Sequence, residues 1–476
     1  MTAEQQLPKG WTKTTLEEIC EIFDSKRVPL NREQREQRIN NKKTDELFPY
    51  YGATGEVGKI DDYIFDGEFV LLGEDAAPFF EPNKNVAYCV KGKFWVNNHA
   101  HILSSSVLEN LYICHYLNQF NFSGYVSGTT RLKLSQGSMK RIPIIYPTSK
   151  ETQQAIVNKI ESLFAEIDEG IGRLKTAAQQ IQQYRQSLLK NAFNGELTKE
   201  WRSKHADTLP SENELLAQIQ TTREQHHARQ LADWQTAVSQ WEQNGKEGKK
   251  PSKPKAPTQA VKFEENFAGL PKGWFNFLLD TLAEISGGLT KNAKRGSFKE
   301  KVPYLRVANV YANELKLDEI ATIGIQENEK ARTLLQTNDL LIVEGNGSIE
   351  QIGRVAIWNS TINPCYHQNH LIKARCYPFV LPKFALYFLI SPMGRERIIN
   401  VASSTTGLHT LSLTKVANLI IPVCSLAEQT QIVAILESKL TACDQLATEL
   451  AKQLKQAELL KQAVLNAAFS GNLLDK

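Results

Sequence analysis

The sequence predicts an α+β protein built twice in one chain: two mixed α/β domains, each followed by a long helix, the two helices pairing as a coiled coil. Three observations predict it. LPKGW stands at Leu7–Trp11 and again at Leu270–Trp274, an identity too long, with its tryptophan, to assign to chance. Further matches follow in the same order. GTTRLKLS (Gly128–Ser135) matches STTGLHTLS (Ser404–Ser412), IVNKIESLFAEID (Ile156–Asp168) matches IVAILESKLTACD (Ile432–Asp444), and NAFNGEL (Asn191–Leu197) matches NAAFSGNL (Asn466–Leu473). Last, a seven-residue apolar period runs through Ile160, Ile167, Leu174, Ile181 and Leu188, and in the same phase through Leu436, Cys443, Leu450, Ala457 and Val464. Such a period follows one face of a slightly underwound helix, the seam of a coiled coil. The repeated unit is roughly two hundred residues long and occurs twice, whereas a solenoid needs at least three short units.

Each module opens with a region rich in glycine, aromatic and β-branched residues. EFVLLGE (Glu68–Glu74) and DLLIVEGNG (Asp339–Gly347) read as buried strands running into turns. Each ends in its heptad helix, closed by a glycine in FNGEL or FSGNL and free of internal proline. Between the modules, SENE (Ser211–Glu214) has capping-box spacing and opens a third helix, with Leu231, Trp234, Val238 and Trp241 on one face. The lysine- and proline-rich NGKEGKKPSKPKAPT (Asn244–Thr258) then reads as a flexible, solvated linker.

At 476 residues, 41% of them hydrophobic, the chain can hold several domains with sizeable cores. No apolar run approaches the ~20 residues that span a bilayer, and MTAEQQLPKG lacks the basic start and apolar core of a secretion signal. The seven cysteines include no C-x-x-C pair, which argues against a disulfide framework or a zinc ribbon. The expected location is cytoplasmic. The net charge is +4, and the Asn244–Thr258 stretch, with five lysines and one glutamate, accounts for all of it. Any polyanion partner must therefore be sought in local patches.

No motif of catalysis is present. GATGEVGKI (Gly52–Ile60) has the wrong spacing for a phosphate loop, and Ile60 stands where a Ser or Thr should hold magnesium. A nucleotide-binding enzyme using Gly52–Lys59 is the weaker alternative to a glycine-rich hairpin. Cys365, His367 and His370, or His99 and His101, do not make four ligands at finger spacing, so no metal is expected.

Local charge says more. Ser25–Lys43 carries seven basic and two acidic residues, and Gly288–Arg306, 263 residues later like the second LPKGW, carries six and one. Arg35, Arg38 and Lys42, and Lys291, Lys294, Arg295 and Arg306, are candidates for phosphate contact; the plainer reading is a solvated face. NNHAH (Asn97–His101) and HQNH (His367–His370) gather amide and imidazole side chains of the kind that read base edges, or else cap turns. Candidate base readers are Asn97, Asn98, His99, Gln368, Asn369 and His370. Tyr50, Tyr51 and Thr54, with Thr130, Arg131 and Lys133 in TTRLK and Thr406 and His409 in TTGLH, are loop candidates of the same type, as is Asn346.

With its paired LPKGW openings, PYYGATG, NNHAHIL, STTGLHTLS, AEQTQIV, NGELTKEWR and two heptad helices, the chain resembles the specificity subunit of type I restriction-modification systems. The resemblance covers both halves; the first departs from it locally, with SKETQQAIV where the second has SLAEQ. It implies target-recognition domains at 1–150 and 266–426, helices of an antiparallel coiled coil at 151–199 and 427–476, and an intermodule segment at 200–265. The order gives pseudo-twofold symmetry. Each recognition domain would read one half of a split, asymmetric DNA target, and the helices would set the unread spacer. The resemblance implies a non-catalytic chain without a cofactor of its own. Its partners would be double-stranded DNA, two modification subunits carrying S-adenosylmethionine and methylating adenine, and restriction subunits using ATP and Mg. A coiled-coil scaffold that never touches DNA is the rival of a different class.

Overall fold

The computed structural model describes residues 7–81, 83–246, 250–257, 259–261, 270–405 and 408–474. The chain divides into two compact units, Met1–Ala178 with Ala447–Lys476, and Gln179–Leu446. Two 44-residue helices, Lys150–Phe193 and Leu426–Phe469, are shared between them, each unit taking the start of one and the end of the other.

In the first unit, Ile156, Val157 and Ile160 from the start of the first long helix join Val464, Leu465, Ala468 and Phe469 from the end of the second in one core. Lys461 Nζ donates to Asp168 at 2.6 Å. In the second unit, Leu188, Leu189, Ala192 and Phe193 meet Ile432, Val433 and Leu436, and Arg185 pairs with Asp444. Start meets end in both places, so the helices run antiparallel. Along the heptad positions, Ile160, Leu188, Leu436, Cys443 and Val464 are buried and Ile167, Leu174, Ile181, Leu450 and Ala457 half-buried, while Glu169, Lys175 and Lys452 between them are exposed.

The first unit contains strands β1 (Trp11–Thr15), β2 (Glu21–Ile22), β3 (Phe48–Gly52), β4 (Gly55–Ile60) and β5 (Phe65–Gly73). After them come β6 (Ala87–Val96), β7 (Ala100–Ser104), β8 (Val126–Ser127), β9 (Lys133–Leu134) and β10 (Pro143–Pro147). A six-stranded sheet has the order β2-β7-β5-β6-β3-β4, and β1 pairs with β10 as a separate antiparallel ribbon. The apolar run in β5 is explained by burial on both faces. Val70 and Leu72 point into the core under helix Asn110–Gln119, while Leu71 faces Phe94 and Ile102 on the other side.

The second unit repeats this plan with β11 (Phe275–Leu278), β12 (Ala283–Gly287), β13 (Lys301–Leu305), β14 (Val310–Tyr311), β15 (Glu314–Leu315), β16 (Ala321–Gly324) and β17 (Leu340–Val343). There follow β18 (Gly345–Asn346), β19 (Val355–Ile357), β20 (Tyr366–His367), β21 (Leu371–Cys376), β22 (Ser403–Thr405), β23 (Leu408–Thr410) and β24 (Ile420–Val423). The ribbon is now β11 with β24, and the main sheet runs β12-β21-β17-β19. In β17, Leu340 and Ile342 enter one core and Leu341 and Val343 another, the same two-sided burial as in β5.

The intermodule helix spans Glu212–Gln243 and starts in a capping box, with Ser211 and Glu214 satisfying each other's backbone amides. It packs on the second unit through Leu215, Ile219 and Arg223, and His226 lies 3.2 Å from Glu284. The stretch beyond it corrects the sequence expectation of a free linker. Trp234 Nε1 donates to Pro251 O at 3.0 Å, Lys253 lies over Trp234 and Lys250 over Trp241, and Gln220 accepts from the Ala260 amide at 2.9 Å. Pro251, Pro254 and Pro257 are half-buried while Ser252, Lys253 and Lys255 are exposed. The segment therefore lies back against the helix, with Pro251 and the lysines at 250 and 253 on its two tryptophans. Residues 247–249 and 258 lie outside the described residues.

Candidate nucleic-acid interface

In the first unit three turns converge where β5 leaves the sheet as Glu74–Asp75. The β6–β7 turn carries Asn97, Asn98 and His99. Asn97 donates its amide to Tyr51 O at 3.0 Å and accepts from the His99 amide at 2.8 Å, and Glu74 donates its amide to His99 O at 2.8 Å. The β3–β4 hairpin turn is held alongside, since a Cβ on Gly73 would stand 3.0 Å from Ala53 O and one on Gly52 3.3 Å from the side-chain Nδ2 of Asn97. The third element is the loop from Gly128 to Arg131 between β8 and β9. Leu134 donates to Glu74 O at 2.7 Å and Ala76 to Leu132 O at 2.9 Å. Gly128 has φ +98°, and a Cβ there would lie 2.2 Å from Arg131 O, so only glycine fits.

Charged side chains finish the cluster. Arg131 binds both oxygens of Asp75 at 2.7 and 2.6 Å, His99 lies 3.4 Å from the same carboxylate, and Lys133 is 3.4 Å from Glu74. Burial raises the Asp75 carboxyl, but Arg131, His99 and Lys133 outweigh it and hold it below the usual carboxylate value. Thr54, Asn98, Thr130, Arg131 and Lys133 are exposed there, with Asn97 and His99 half-buried.

The second unit assembles the counterpart from matching positions. β17 ends in Glu344, whose amide donates to His370 O at 3.0 Å and whose carbonyl accepts from Leu411 at 2.7 Å. Gln368 donates to Leu305 O at 2.9 Å, as Asn97 does to Tyr51. His370 Nδ1 lies 2.8 Å from the Glu344 carboxylate. Here the loop is held as backbone ladder: β18 pairs Gly345 with Thr410 and Asn346 with His409, and β23 pairs in turn with β22. His370 is exposed and Gln368, Asn369, Asn346 and His409 are half-buried. Asn346 caps the Ser348 amide at 2.9 Å. Thr406 lies outside the described residues.

The basic runs divide. Helix Arg32–Ile39 carries Arg35 over the Tyr50 ring at 4.8 Å and Arg38 over the Trp95 ring at 4.9 Å. Arg38 also pairs with Asp61 at 2.7 Å and Asp62 at 3.6 Å, and Lys42 lies 3.9 Å from Asp61. Arg38 is thus engaged by acids some twenty residues away that its own run does not contain. Tyr50 is a correction: only 1% of it is exposed and its hydroxyl contacts Leu30, so its face is not offered to a base. Tyr51 is half-buried against Tyr88 and Phe94. In the second unit Lys291 and Lys294 are exposed, and Arg306 is half-buried, its amide capped by Asn309. Arg295 is the other correction. It is buried, donates to Gly324 O at 2.8 Å and binds both oxygens of Glu329 at 3.0 and 2.7 Å, a bond that holds Glu329 below its usual value. It is a structural arginine, unavailable to phosphate.

Gly52–Lys59 is the β3–β4 hairpin, and the chain continues from it into strand β5, whereas a phosphate loop runs into a helix N-terminus. Asp24, Glu74 and His101 bring ligand-type atoms within 4.8 Å of one another. The Arg27 guanidinium, 2.7 Å from Glu74 and 3.5 Å from Asp24, already supplies the positive charge a cation would bring. The acids Glu74, Asp75 and Glu344 that organise both clusters were missed at the sequence level. Their signal was an acidic residue directly after each buried β-run.

Comparison with known proteins places this geometry. The family model of the type I restriction modification DNA specificity domain matches residues 8–175 and 271–456. A putative type I restriction enzyme specificity subunit of Haemophilus influenzae is 34% identical over 152 residues, 32% of this chain and 36% of that one. The EcoKI specificity subunit of Escherichia coli K12 is 23% identical over 79% of this chain. The match spans 65% of the EcoKI subunit's own length. Among solved structures, a chain from a study of complex assembly and conformational transition in the type I R-M system aligns with TM-score 0.61 and 16% identity, over 98% of this chain and 100% of that one. The HsdS subunit of Thermoanaerobacter tengcongensis aligns with TM-score 0.52 and 16% identity over 99% of both chains. With both repeats matched and the fold shared, the chain belongs to the family of the type I restriction modification DNA specificity domain.

Proposed function

We propose that this chain is the sequence-specific DNA-binding specificity subunit of a type I restriction-modification complex. It recognises a bipartite, asymmetric target, with one half-site read by each unit. The observation that carries this reading is the repeated loop cluster: each unit presents amide and imidazole side chains from the same turns, hung on matching backbone bonds, but with different residues. Two similar readers with different side chains suit a split target whose halves differ. The chain contributes specificity and no catalysis. Modification subunits, two per chain, bring S-adenosylmethionine and methylate adenine; restriction subunits bring ATP and Mg. A cytoplasmic location fits this role, and no described helix is long and apolar enough to cross a membrane.

Methylome sequencing of cells expressing the complete system tests the reading. A methylated split motif is the expected result, and its loss on deleting this chain ties it to specificity. A protein scaffold that does not read DNA would leave methylation without a motif, and a nucleotide-binding enzyme would bind labelled ATP as an isolated chain. The heptad helices supply a second test. A whole heptad inserted after Leu174 and after Leu450 preserves the seam and adds roughly 10 Å of helix. The same half-sites should then be methylated with a longer unread spacer.

A further inference from the structure

Beneath the Gly128–Arg131 loop the first unit buries a group of charges that no exposed reader requires. His101, near the start of β7, is fully buried. Its Nδ1 lies 2.6 Å from Asp24 Oδ2 and its Nε2 lies 2.9 Å from the carbonyl of Leu134, the last residue of β9. A carboxylate and a carbonyl both accept, so each of the two ring nitrogens faces an acceptor.

The groups facing it come from every neighbouring element. Asp24 and Arg27 lie between β2 and β3, and Glu74, at the end of β5, is 3.7 Å from the ring. Arg27 pairs with both acids, Gln136 Nε2 donates to Asp24 at 3.1 Å, and Lys133 reaches Glu74 at 3.4 Å. Burial raises the Asp24 carboxyl, but the bond and charge of His101, the Ile102 amide and Arg27 outweigh it and keep it below the usual range. The corresponding place in the second unit is apolar. In register terms His101 faces Leu72 two residues before Glu74, and its equivalent facing Ile342, two before Glu344, is the buried apolar Ile372.

We propose that His101 is the positioning residue of the first unit's reading loop: by donating at once to Asp24 and to the Leu134 carbonyl it sets the height of β9, and with it Thr130, Arg131 and Lys133, over the DNA. The proposal rests on the reading of that loop as a DNA reader. His101→Gln keeps the size but cannot donate in both directions. Removing one charge-assisted bond should loosen the loop roughly tenfold or more.

The experiment has two readouts on the full chain assembled with its modification subunits. Hydrogen exchange over residues 126–134 should quicken about tenfold in His101→Gln, with β5 and β6 unchanged. Discrimination against a wrong base should fall in one half-site only, and Arg131→Ala added to His101→Gln should lower it no further, because both act through one loop. Gln136→Ala, an exposed change that strips one contact from Asp24, should shift exchange in the same direction by less if the buried variant proves unstable. Unchanged exchange over 126–134 in both variants overturns the proposal whatever the DNA result. Independent, multiplying effects of the two substitutions overturn it too, since His101 would then act only on stability. Faster exchange with neither half-site affected leaves His101 holding the loop and removes the loop from the set of readers, a failure of the functional reading alone.

Discussion

The two candidate reading loops solve one mechanical problem with different chemistry. In both units the acid after the central strand donates its amide to the histidine carbonyl of one turn and accepts from the loop that follows: Glu74 with His99 and Leu134, Glu344 with His370 and Leu411. The ribbon ladders are extended by one rung in the same way, Leu16 donating to Ile142 O and Leu279 to Leu419 O. Beyond this shared frame they diverge. The first loop is held by charged side chains, Arg131 on Asp75 and Lys133 on Glu74, over the buried His101. The second is held by the β18-β23-β22 ladder, over apolar Ile372. Backbone hydrogen bonds preserve a geometry while side chains change, so the two units can present different side chains from one frame.

The sharpest difference lies at the entry to the long helices. Glu428 is fully buried and receives Arg202 at 2.6 Å, Thr198 at 2.7 Å and Trp274 Nε1 at 3.0 Å; the matching position in the first helix is Thr152. Arg202→Leu strands that carboxylate and should destabilise the second unit by about 3–5 kcal/mol. Thermal unfolding followed by hydrogen exchange should place the loss there; an equal loss in the first unit would break the comparison.

Base readers come next. Asn98→Ala or His99→Ala should damage recognition of one half-site and Gln368→Ala or Asn369→Ala the other, each by about 1–3 kcal/mol of discrimination. Methylation of target libraries randomised at one half-site at a time measures it. Loss of folding in these variants would show that the residues serve as turn caps.

Acid should separate the units. His367 is fully buried, and burial first, then the Lys373 charge, lowers its pKa to about 3, whereas the aligned position in the first unit is Val96. A histidine with a depressed value stays neutral in the folded state while the unfolded chain takes up a proton. Its share of stability is therefore full above about pH 6.5 and is lost as pH falls toward about 3, by up to about 1.4 kcal/mol per pH unit. His367→Val should flatten the acid limb of the second unit's stability. A limb of unchanged slope would assign the acid sensitivity to other groups.

The smallest effect belongs to the phosphate candidates. Lys291→Gln with Lys294→Gln, both exposed, should lower the salt slope of DNA binding by about one to two charges, and Arg295→Gln should instead cost stability. In the first unit Lys42→Gln should matter more than Arg38→Gln, because Arg38 is held by two acids and a tryptophan. Binding titrations across a salt series rank the four.

What the sequence alone determined are the features repeated in it or periodic along it. The duplication, the heptad seam from Ile160 to Leu188 and Leu436 to Val464, the Ser211 capping box and the buried strand at Val70–Leu72 are local patterns that helix and strand geometry turn directly into structure. That Asn98, His99 and Arg131 lie in loops was legible too, the first two from the amide and imidazole cluster NNHAH and the third from its place after Gly128. What only the tertiary structure decided is which of the polar side chains are free. Arg295 and Tyr50 look like their exposed neighbours in sequence, but Glu329, 34 residues on, and Leu30, 20 residues back, claim them. The contacts of Pro251 and Lys253 with Trp234 and the acids that hold the candidate loops are likewise pairings between residues distant in sequence. A charge or a ring does not carry in its local sequence the partner that will engage it, and folding supplies that partner only when the sheet brings separated strand ends together.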